Sequence, residues 1–450
     1  MKTKSNSYGF CGGAFGDEGK GRIVDEYVSK LAKKGPVVVY RDNGGANAGH
    51  TVSFASGKIA LHQLPSGIFC KNATVVLGKE MVIHPGDFMV EINQVITFSK
   101  EAELATILLD EMAILSLDTH RAFENILKTW EDGGKGSTGR GISPAYADVL
   151  LRHPLRVRDL TPFNTTKIEQ HYRLYEALLK GLGAKLAEVK VAQLGSADLI
   201  PVGTLAQFID RLQKQSKMLS IYAKNVSAFL EATWNDPKCS YVFEKAQAIG
   251  LDYRWGVYPD VTASTTTFDG IFSATEGIID PTQMKVRAAV IKATYMSSVG
   301  MRKLPSMMPE KLAHRIREDA NEYGATTRRP RDIAYLDLEA VKYYAKVGNV
   351  NTHVLTHMDI VYPEVPIKVC VGYTLKGKKV SYRPDQEFLS KVKPVYKEFK
   401  PWNQQKIQLA KNAKEIPTAA KTFLKFIEKE IGTKIIMITT GAKRNQSIKW

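Results

Sequence analysis

The chain has 450 residues, with 63 Lys and Arg against 46 Asp and Glu, so its formal net charge is +17. Hydrophobic residues make up 44% of the chain and charged residues 24%, which are the proportions of an ordinary globular enzyme. These values exclude collagenous and disordered proteins, and no apolar run approaches the roughly 18 residues of a membrane-spanning helix. The length is sufficient for a sizeable hydrophobic core, so the fold needs neither disulfides nor a metal.

Cysteine spacing and the amino terminus indicate the compartment. The four cysteines, Cys11, Cys70, Cys239 and Cys370, lie far apart and form no CxxC pair, which is typical of reduced thiols. The basic first residues lack the continuous apolar stretch of a signal peptide. The sequence therefore predicts a cytoplasmic protein without a membrane partner.

The excess of positive charge has more than one interpretation. It would suit nucleic acid, a site for several anionic ligands, or a chain with scattered surface lysines. Part of the excess lies in the lysine-rich residues 391–449, where no RNP, KH or zinc-finger pattern occurs. We favour scattered lysines, and we expect no nucleic-acid partner.

The predicted elements begin with an apolar strand at 8–11, a glycine-rich turn, a helix at 23–34 and a second strand at 37–40. This β–loop–α–β order is typical of a parallel sheet with a ligand loop at the carboxyl end of a strand. The remaining predictions, in chain order, are a short strand at 75–77, a long helix at 101–130, helical regions at 168–186 and 205–230, strands at 354–355 and 367–373, a helix at 419–431 and a strand at 434–439.

The domain organisation predicted from these elements is simple. No repeat and no low-complexity linker divides the chain. The predicted class is α/β, with a large, mostly parallel central sheet, a phosphate-binding glycine loop and helical insertions. We expect one domain over residues 1–450.

The first cluster with chemical character is the glycine-rich turn at 12–21. Glycines let backbone N–H groups approach a phosphate closely, the following helix offers its positive end, and Lys20 adds a point charge. The turn is not a Walker A loop, because five residues rather than four separate Gly13 from Gly19. In addition, Gly21 stands where a Walker A loop has the Ser or Thr that holds Mg²⁺. If a metal binds here, another oxygen must hold it, and Asp17 is the obvious candidate.

The second cluster is the loop at 41–51 beyond the second strand, which holds three glycines, two asparagines and a histidine. Such a loop is rich in hydrogen-bond donors and permits unusual backbone angles. In one interpretation His50 is a surface histidine of an ordinary turn. In the other, the loop lies next to the phosphate loop and His50 neutralises charge on a leaving oxygen.

Three further clusters suit a phosphate monoester, a carboxylate and a guanine. Residues 136–146, with two arginines behind them, combine hydroxyls and guanidiniums, which suit a phosphate monoester. Residues 326–331 hold three arginines around a proline, which form either a carboxylate clamp or a solvated basic turn. Asp359 follows the predicted strand at 354–355, where its carboxylate can accept both N1–H and N2–H of guanine.

These clusters, in this order, resemble the signatures of the adenylosuccinate synthetase family, whose enzymes join aspartate to IMP at the expense of GTP. The matching stretches are 16–21, 44–52, 62–68, 138–146, 246–252, 258–262 and 326–331. The matches run from Gly12 to about Ile448, which is nearly the whole chain. The resemblance implies the ligands of that family, which are Mg²⁺, GTP, IMP and L-aspartate.

The resemblance also implies a reaction in two steps. A base removes the N1 proton of IMP while O6 attacks the γ-phosphate of GTP, and the amino group of aspartate then displaces the phosphate from the 6-phosphoryl intermediate. By similarity Asp17 is the base and a Mg²⁺ ligand, and the Gly49 carbonyl is a second metal ligand. His50 stabilises the β,γ-bridge and acts as an acid. Lys20 and Gln247 complete the implied catalytic set.

Binding residues follow from the same resemblance. It implies that GTP and its metal lie against Gly16, Glu18, Gly19, Lys20, Gly21, Arg22, Gly49, His50, Thr51, Arg331, His357, Met358, Asp359, Thr440, Gly441 and Ala442. It implies that IMP and aspartate lie against Asn47, Ala48, Thr138, Arg152, Gln247, Leu251, Thr262, Ala325, Thr326, Thr327, Arg328, Arg329 and Arg331. Arg152 resembles an arginine that reaches the nucleotide of the neighbouring subunit, which implies a homodimer.

The chain departs from the family pattern at several positions. Ala248 and Arg328 stand where the family has glycine, and His357 replaces a lysine that packs on the guanine. These changes leave open a viral-type synthetase that joins aspartate to dGMP, with GTP or ATP as the donor. Asp17 and Asp359 favour IMP and GTP, since the viral branch has serine in place of Asp17.

A third interpretation is a nucleotide-binding protein without ligase activity. Such a protein would need the phosphate loop but not His50, Gln247 or the arginine clamp. Nucleotide hydrolysis in the absence of aspartate would favour it.

Overall fold

The computed structural model of the chain describes residues 3–54, 57–99, 103–130, 137–298, 300, 302–324 and 329–450. The strands are β1 (Lys4–Gly12), β2 (Val37–Arg41), β3 (His50–Phe54), β4 (Gly57–Leu61), β5 (Ala73–Leu77), β6 (Val82–Ile83), β7 (Thr106–Asp110), β8 (Ile114–Leu115), β9 (Lys190–Ala192), β10 (Leu199–Pro201), β11 (Ala223–Lys224), β12 (Ser240–Ala248), β13 (Met284–Lys292), β14 (Tyr295–Ser298), β15 (Asp332–Asp337), β16 (Thr352–Thr356), β17 (Ile367–Leu375), β18 (Lys378–Val380), β19 (Lys393–Phe399), β20 (Lys434–Thr439) and β21 (Ser447–Lys449).

The helices are α1 (Lys20–Leu31), α2 (Pro85–Ser99), α3 (Asp118–Trp130), α4 (Ile142–Leu150), α5 (Thr165–Gly181), α6 (Leu205–Tyr222), α7 (Ser227–Asn235), α8 (Gly270–Ala274), α9 (Glu310–Ala320), α10 (Leu338–Val347), α11 (Gln386–Lys391), α12 (Gln404–Leu409) and α13 (Thr418–Ile431). Among the described residues, none of these helices combines the length and the apolar character that crossing a membrane requires.

Ten strands form the central sheet, in the order β11-β7-β5-β2-β12-β1-β13-β16-β20-β21. Neighbouring strands are parallel throughout, except that β20 and β21 at one edge are antiparallel. Parallel neighbours need long crossover connections, and helices supply many of them here. This architecture confirms the predicted α/β class with a large, mostly parallel central sheet.

The middle of the sheet combines deep burial with charge. All five residues of β2 are buried, as are eight of the nine residues of β12. Strands that are covered on both faces usually consist of apolar residues. β12 instead carries Glu244 and Lys245, so the fold places charged groups in the core close to the carboxyl end of the strand.

A second sheet of five strands, with β17 paired to β15, β18 and β19, was not predicted. The sequence indicated β17 as a strand but not its neighbours. β18 is short, and β19 carries lysines that alternate with partly buried residues. Such lysine-rich edge strands give a weak apolar signal, which explains why the sequence pattern did not reveal them.

The predicted helix at 101–130 is wrong. Thr106–Asp110 is the strand β7, which lies between β5 and β11 in the central sheet, and the helix begins only at Asp118. A short run of consecutive apolar residues fits a buried strand as well as a helix, and here sheet pairing decides the outcome.

The predicted helical region at 205–230 is also interrupted. It contains α6, the two-residue strand β11 and the start of α7. β11 pairs with β7 and ends the central sheet on that side. The helices predicted at 168–186 and 419–431 are confirmed in position, and their bounds shift by a few residues.

Candidate active site

The phosphate loop connects the central strand β1 to α1. β1 ends at Gly12, and α1 begins at Lys20, three residues before the predicted start. A side chain at Gly12 would place its Cβ only 2.5 Å from Ala248 Cβ, so glycine is required for the close approach of β1 and β12. Gly16 and Gly19 have φ angles of 103° and 86°, in the left-handed region that glycine favours. The chain therefore turns from strand to helix as a phosphate loop does.

Glu18 holds this loop in shape. Its carboxylate accepts hydrogen bonds from the backbone N–H groups of Ala14, at 3.2 Å, and Gly16, at 2.8 Å. Lys20 Nζ lies 3.0 Å from the other carboxylate oxygen, and both side chains are buried. The Glu18 carbonyl accepts a hydrogen bond from the Thr356 hydroxyl at 2.9 Å. The side chain of Glu18 thus shapes the loop, a role that the sequence pattern did not indicate.

Asp17 is the partly exposed carboxylate of the loop, with 30% of its side chain accessible. Its backbone has a positive φ of 58°, and its carboxylate forms an ion pair with Arg331. Arg331 also donates to Glu322 Oε2 at 3.1 Å. The structure therefore brings together two residues that lie far apart in the sequence and that the sequence analysis assigned to one site.

Glu322 is a neighbour of this site that sequence reasoning missed. Its buried carboxylate forms an ion pair with Lys292 and accepts a hydrogen bond from the Tyr295 hydroxyl at 2.6 Å. Burial alone would raise the pKa of Glu322, but the charges of Lys292 and Arg331 outweigh burial and lower it to about 2. The available signal was its position four residues before the cluster at 326–331.

His50 is the first residue of β3 and rests on a buried carboxylate. Its Nδ1 lies 2.5 Å from Glu244 Oε1 on β12. Glu244 also accepts hydrogen bonds from the Ser66 hydroxyl, at 2.5 Å, and from the Ser66 N–H, at 2.7 Å. Burial lowers the pKa of His50, and Glu244 counteracts part of that effect. His50 is 5% exposed, so its interpretation as a surface histidine is wrong.

The carboxylate also fixes the tautomer of His50. Nearby charges and hydrogen bonds hold the pKa of Glu244 below its ordinary value despite burial, so Glu244 is ionised and can only accept. The imidazole Nδ1 therefore carries a proton and donates it to Glu244. The other ring nitrogen, Nε2, is left to act on a ligand.

His357 follows β16, with a positive φ of 58°, and contacts Tyr295. Its Nδ1 lies 2.9 Å from the Tyr295 oxygen. Because the Tyr295 hydroxyl donates its single proton to Glu322, its oxygen accepts from His357, and this fixes the Nδ1–H tautomer. Burial lowers the pKa of His357 to about 4. His357 is therefore a neutral imidazole at physiological pH.

The loops after β16 and β20 adjoin one another at the predicted guanine end. The Met358 N–H donates to the Thr439 carbonyl at 3.0 Å. Arg22, on the first turn of α1, donates to the Gly441 carbonyl at 2.7 Å. Thr440 Oγ1 is buried and, among the described residues, has no hydrogen-bond partner. The first helical turn and both loops thus form one connected surface.

Asp359, the predicted guanine acceptor, lies half-buried in this surface. Its Oδ2 is 3.5 Å from Gln408 Nε2, and its backbone carbonyl accepts from Gln404 Nε2 at 2.8 Å. Burial raises the pKa of Asp359. Because the hydrogen bond from Gln408 is long, the carboxylate retains acceptor capacity for donors on a base.

Gln247 lies near the end of β12, opposite the loop that follows β2. Its φ of 56° is unusual for a residue other than glycine, and both of its side-chain amide atoms are buried without a hydrogen-bond partner among the described residues. A Cβ on Gly44 would lie 3.2 Å from Gln247 Oε1, so glycine leaves room there. An unpaired buried amide costs about 1–3 kcal/mol, and the arrangement therefore fits a ligand that offers both a donor and an acceptor.

The loop before β3 is ordered by its own hydrogen bonds. Asn47 Oδ1 accepts the Gly45 N–H at 3.1 Å. The carbonyl of Ala48 accepts from His62 Nδ1 at 2.6 Å. The Asn47 amide nitrogen is therefore directed by a fixed loop, which is what a substrate-binding amide needs.

Several predicted site residues are exposed rather than buried. Thr51, Thr138, Arg152, Arg329 and Ala442 are exposed, and Arg152 has a positive φ of 68°. The Thr262 N–H donates to the Leu251 carbonyl at 2.8 Å, which joins two predicted IMP contacts. Ala325, Thr326, Thr327 and Arg328 lie outside the described residues. Of the residues in the predicted aspartate clamp, the structure therefore describes only Arg329 and Arg331.

Two groups of residues carry the kinds of donor atom that bind metals. At the phosphate loop, the Asp17 carboxylate and the Gly49 carbonyl are oxygen donors of the kind that Mg²⁺ prefers, and both residues retain exposure. The donor set at the loop therefore fits a hard cation.

The second group, His120, Asp148 and His171, brings its possible ligand atoms within 4.8 Å of one another. However, His120 Nδ1 accepts the Leu117 N–H at 2.9 Å, so the ring proton lies on Nε2, which donates to Asp148 at 3.0 Å. A protonated nitrogen does not ligate a metal. This group is a hydrogen-bonded part of the core.

Sequence comparisons agree with this geometry. Residues 10–448 match the adenylosuccinate synthetase family. The adenylosuccinate synthetase of Clostridium novyi is 33% identical over 442 residues, which cover 97% of each chain. The enzyme of the same name from Caldicellulosiruptor bescii is 34% identical over 443 residues, again 97% of each chain.

Solved structures give the same result. The fully ligated adenylosuccinate synthetase from Plasmodium falciparum superposes with a TM-score of 0.85 at 29% identity, covering 99% of this chain and 100% of that one. The succinoaminodeoxyadenylate synthetase of cyanophage S-2L, solved with dGMP and with dATP as energy donor, gives 0.56 at 15% identity over 99% and 95%, which shows a shared fold. On these matches, together with the phosphate loop and the residues around it, the chain belongs to the adenylosuccinate synthetase family.

Proposed function

We propose that this chain joins L-aspartate to IMP at the expense of GTP, giving adenylosuccinate for the synthesis of AMP. Family membership over nearly the whole chain supports a ligase that forms a C–N bond. The observation that carries the site assignment is the ion pair of Asp17 with Arg331, which positions a loop carboxylate beside the phosphate-binding backbone.

In the first step, Asp17 is the base that removes the N1 proton of IMP. The carboxylate is partly exposed, so a purine can reach it, and Arg331 and the loop backbone fix its position. O6 of IMP then attacks the γ-phosphate of GTP. Positioning and charge stabilisation supply most of the rate enhancement in such phosphoryl transfers.

His50 acts on the leaving side of the same step. Its Nδ1 is held by Glu244, so Nε2 is oriented toward the oxygen that bridges the β- and γ-phosphates. The negative charges of Glu244 and of the bound triphosphate favour the doubly protonated ring, whose Nε2–H then donates a proton to this oxygen and stabilises the negative charge that develops on the departing GDP. The burial of His50 strengthens this interaction, because little water competes with it.

Asp17 and Gly49 are the residues that would hold Mg²⁺. The ion, when bound, neutralises charge on the phosphates. Lys20 adds a second positive charge at the same loop and is kept in place by Glu18.

IMP and GTP lie on opposite sides of the phosphate loop in this proposal. The unpaired amide of Gln247, with Asn47, faces the purine of IMP. Asp359 accepts from the guanine of GTP, and His357 offers a neutral nitrogen beside it. Two hydrogen-bond acceptors in the pocket for the triphosphate base favour guanine over adenine, since guanine presents N1–H and N2–H on one edge.

A homodimer completes the proposed assembly. Leu150 is 84% exposed and Leu151 is 65% exposed, directly before Arg152. Exposed leucines next to an arginine at a positive φ suit a subunit interface from which Arg152 reaches the neighbouring nucleotide. Sedimentation of the wild-type chain should give the mass of two subunits.

All four cysteines are free thiols, which supports a cytoplasmic location.

The experiment that tests the reaction supplies purified protein with Mg²⁺, aspartate and a triphosphate, and follows ultraviolet absorbance as the purine changes. We expect a signal with IMP and GTP, and little signal when ATP replaces GTP. A signal with dGMP instead would assign the chain to the viral-type reaction. The absence of product with either purine, combined with hydrolysis of GTP, would overturn the proposed ligase.

A further inference from the structure

The pairing of β2 with β12 has a constant register. The strands run parallel from Val37, opposite Ser240, to Tyr40, opposite Phe243. Each pair is separated by 203 residues in the sequence. The last backbone pair lies just before the loop at 41–51, so the register predicts which residues of the two chain segments meet next.

Side-chain contacts continue this register into the candidate site. The same separation of 203 residues joins Asp42 to Lys245, Asn43 to Ala246, and Gly44 to Gln247. The first contact is an ion pair, the second is a hydrogen bond of 2.9 Å from a backbone N–H to the asparagine oxygen, and the third is close packing of glycine against the glutamine amide. The parallel pairing therefore extends through side chains as far as Gln247.

The Asp42–Lys245 ion pair is fully buried, and both side chains are 0% exposed. Removing two charges from water is costly, and their mutual attraction roughly offsets that cost, so such a pair adds little net stability. Asp42 Oδ1 also has no hydrogen-bond partner among the described residues. Stability alone therefore does not account for this pair, and a role in fixing local geometry does.

Gln247 is the residue whose geometry needs fixing. Its positive φ is costly for a residue other than glycine, and within the described part of the chain its amide has no hydrogen-bond partner that would orient it. Lys245 precedes Gln247 by two residues, at the point where the pairing of β12 with β1 becomes irregular between Glu244 and Ala248. An anchor at Lys245 therefore holds the backbone immediately before Gln247.

We propose that the Asp42–Lys245 ion pair is a positioning element that holds the Gln247 amide toward the purine acceptor. The inference rests on the proposed function, in which Gln247 contacts IMP. Asp42 and Lys245 do not touch the reacting groups and act only through the end of β12. Their removal should weaken the binding of IMP and leave GTP and the chemical step largely unaffected.

The test is a double-mutant cycle on the full-length enzyme. The variant Asp42→Leu with Lys245→Met removes both charges at once, so no uncompensated charge is left in the core. We expect it to fold, to raise KM for IMP about tenfold, and to change kcat and KM for GTP by less than about twofold. In a Gln247→Ala background the same pair of changes should add nothing to KM for IMP.

The conservative variant Asp42→Asn with Lys245→Gln keeps a hydrogen bond between the two positions. It should bring KM for IMP back to within about threefold of the wild type, and it serves as the test protein if the apolar variant fails to fold. Tyr241→Phe is the matched control, because Tyr241 is buried on the same face of β12 and further from the site. Its effect on KM for IMP should be close to none in either background.

Two outcomes would overturn the inference, and they are distinguishable. If Gln247→Ala raises KM for IMP but the charge-pair variants multiply that effect in full, the ion pair is only structural. If Gln247→Ala leaves KM for IMP unchanged, Gln247 does not contact the purine, and the corresponding assignment in the proposed function fails as well.

Discussion

His50 and His357 are two buried histidines near the phosphate loop, and their partners differ in chemistry. His50 donates to the ionised carboxylate of Glu244, whereas His357 donates to the neutral hydroxyl of Tyr295. Burial lowers the pKa of both rings, but His50 is hydrogen-bonded directly to a carboxylate that compensates a positive charge, whereas Glu322 acts on His357 only through space. The difference teaches that the partner of a buried histidine, more than its burial, decides whether it can act as an acid.

The largest effect on kcat should come from replacing His50. His50→Gln removes the proton donor at the leaving oxygen, and we expect kcat to fall by about a hundredfold to a thousandfold with a smaller change in KM. Steady-state kinetics with saturating aspartate measure this directly. Ser53→Ala, further along β3, is the control and should leave kcat within about twofold. A loss of less than fivefold in the His50 variant would remove the acid role.

The pH dependence of the free energy of unfolding should show whether His357 is held in its neutral form. The folded pKa of His357 is about 4, below its ordinary value, so the unfolded chain binds more protons between that pH and about 6.5. Stability is therefore lost as the pH falls through this range, by up to about 3 kcal/mol from this residue. His357→Gln should lose less stability than the wild type between pH 7 and pH 4, as measured by urea unfolding.

His314 provides the matched control for that comparison, since it is exposed on α9. His314→Gln should show the same loss of stability with pH as the wild type. Equal pH dependence in the His357 variant and the wild type would mean that His357 is not held neutral by burial.

The smallest effect should follow from removing the hydroxyl that holds His357. Tyr295→Phe leaves the aromatic ring and deletes the hydrogen bonds to His357 and Glu322. We expect KM for GTP to rise by about threefold with kcat nearly unchanged, since of these two hydrogen bonds only the neutral one holds His357, and such a bond contributes about 1 kcal/mol. A larger fall in kcat than in His50→Gln would reverse the assignment of the two histidines.

Local patterns made the phosphate loop and its neighbours predictable. Glycines that precede a helix indicate an anion site without knowledge of the rest of the chain, and the loop does connect β1 to α1. The same holds for the position of Asp359 after β16. These features depend on residues close together in the sequence, so the sequence alone carries their signal.

The missed features depend on contacts between distant segments. Glu322 gains its role from Lys292, Tyr295 and Arg331, and no local pattern marks these four residues as a group. β7 was predicted as helix because its apolar run does not reveal that β5 and β11 flank it. Contacts between distant segments, which the sequence does not show, decided both outcomes.

The sequence does contain one indication of the contacts between residues 42–44 and 245–247. Asp42 follows an apolar strand, and Lys245 interrupts another apolar run. Charged residues rarely lie in fully buried strands unless they are paired. Two such positions of opposite sign, one after the predicted strand at 37–40 and one in an apolar segment that was not predicted as a strand, indicate that the two segments are neighbours and that the charges meet.

The most direct test of the account is whether phosphoryl transfer to IMP requires Asp17 and not aspartate. GTP labelled with oxygen-18 at the β,γ-bridge is incubated with enzyme, Mg²⁺ and IMP without aspartate. Phosphorus NMR then follows migration of the label from the bridge to the non-bridging positions of the β-phosphate. We predict migration with IMP in the wild type, no migration without IMP, and nearly complete loss in Asp17→Asn. Undiminished migration in Asp17→Asn would contradict the assignment of Asp17 as the base.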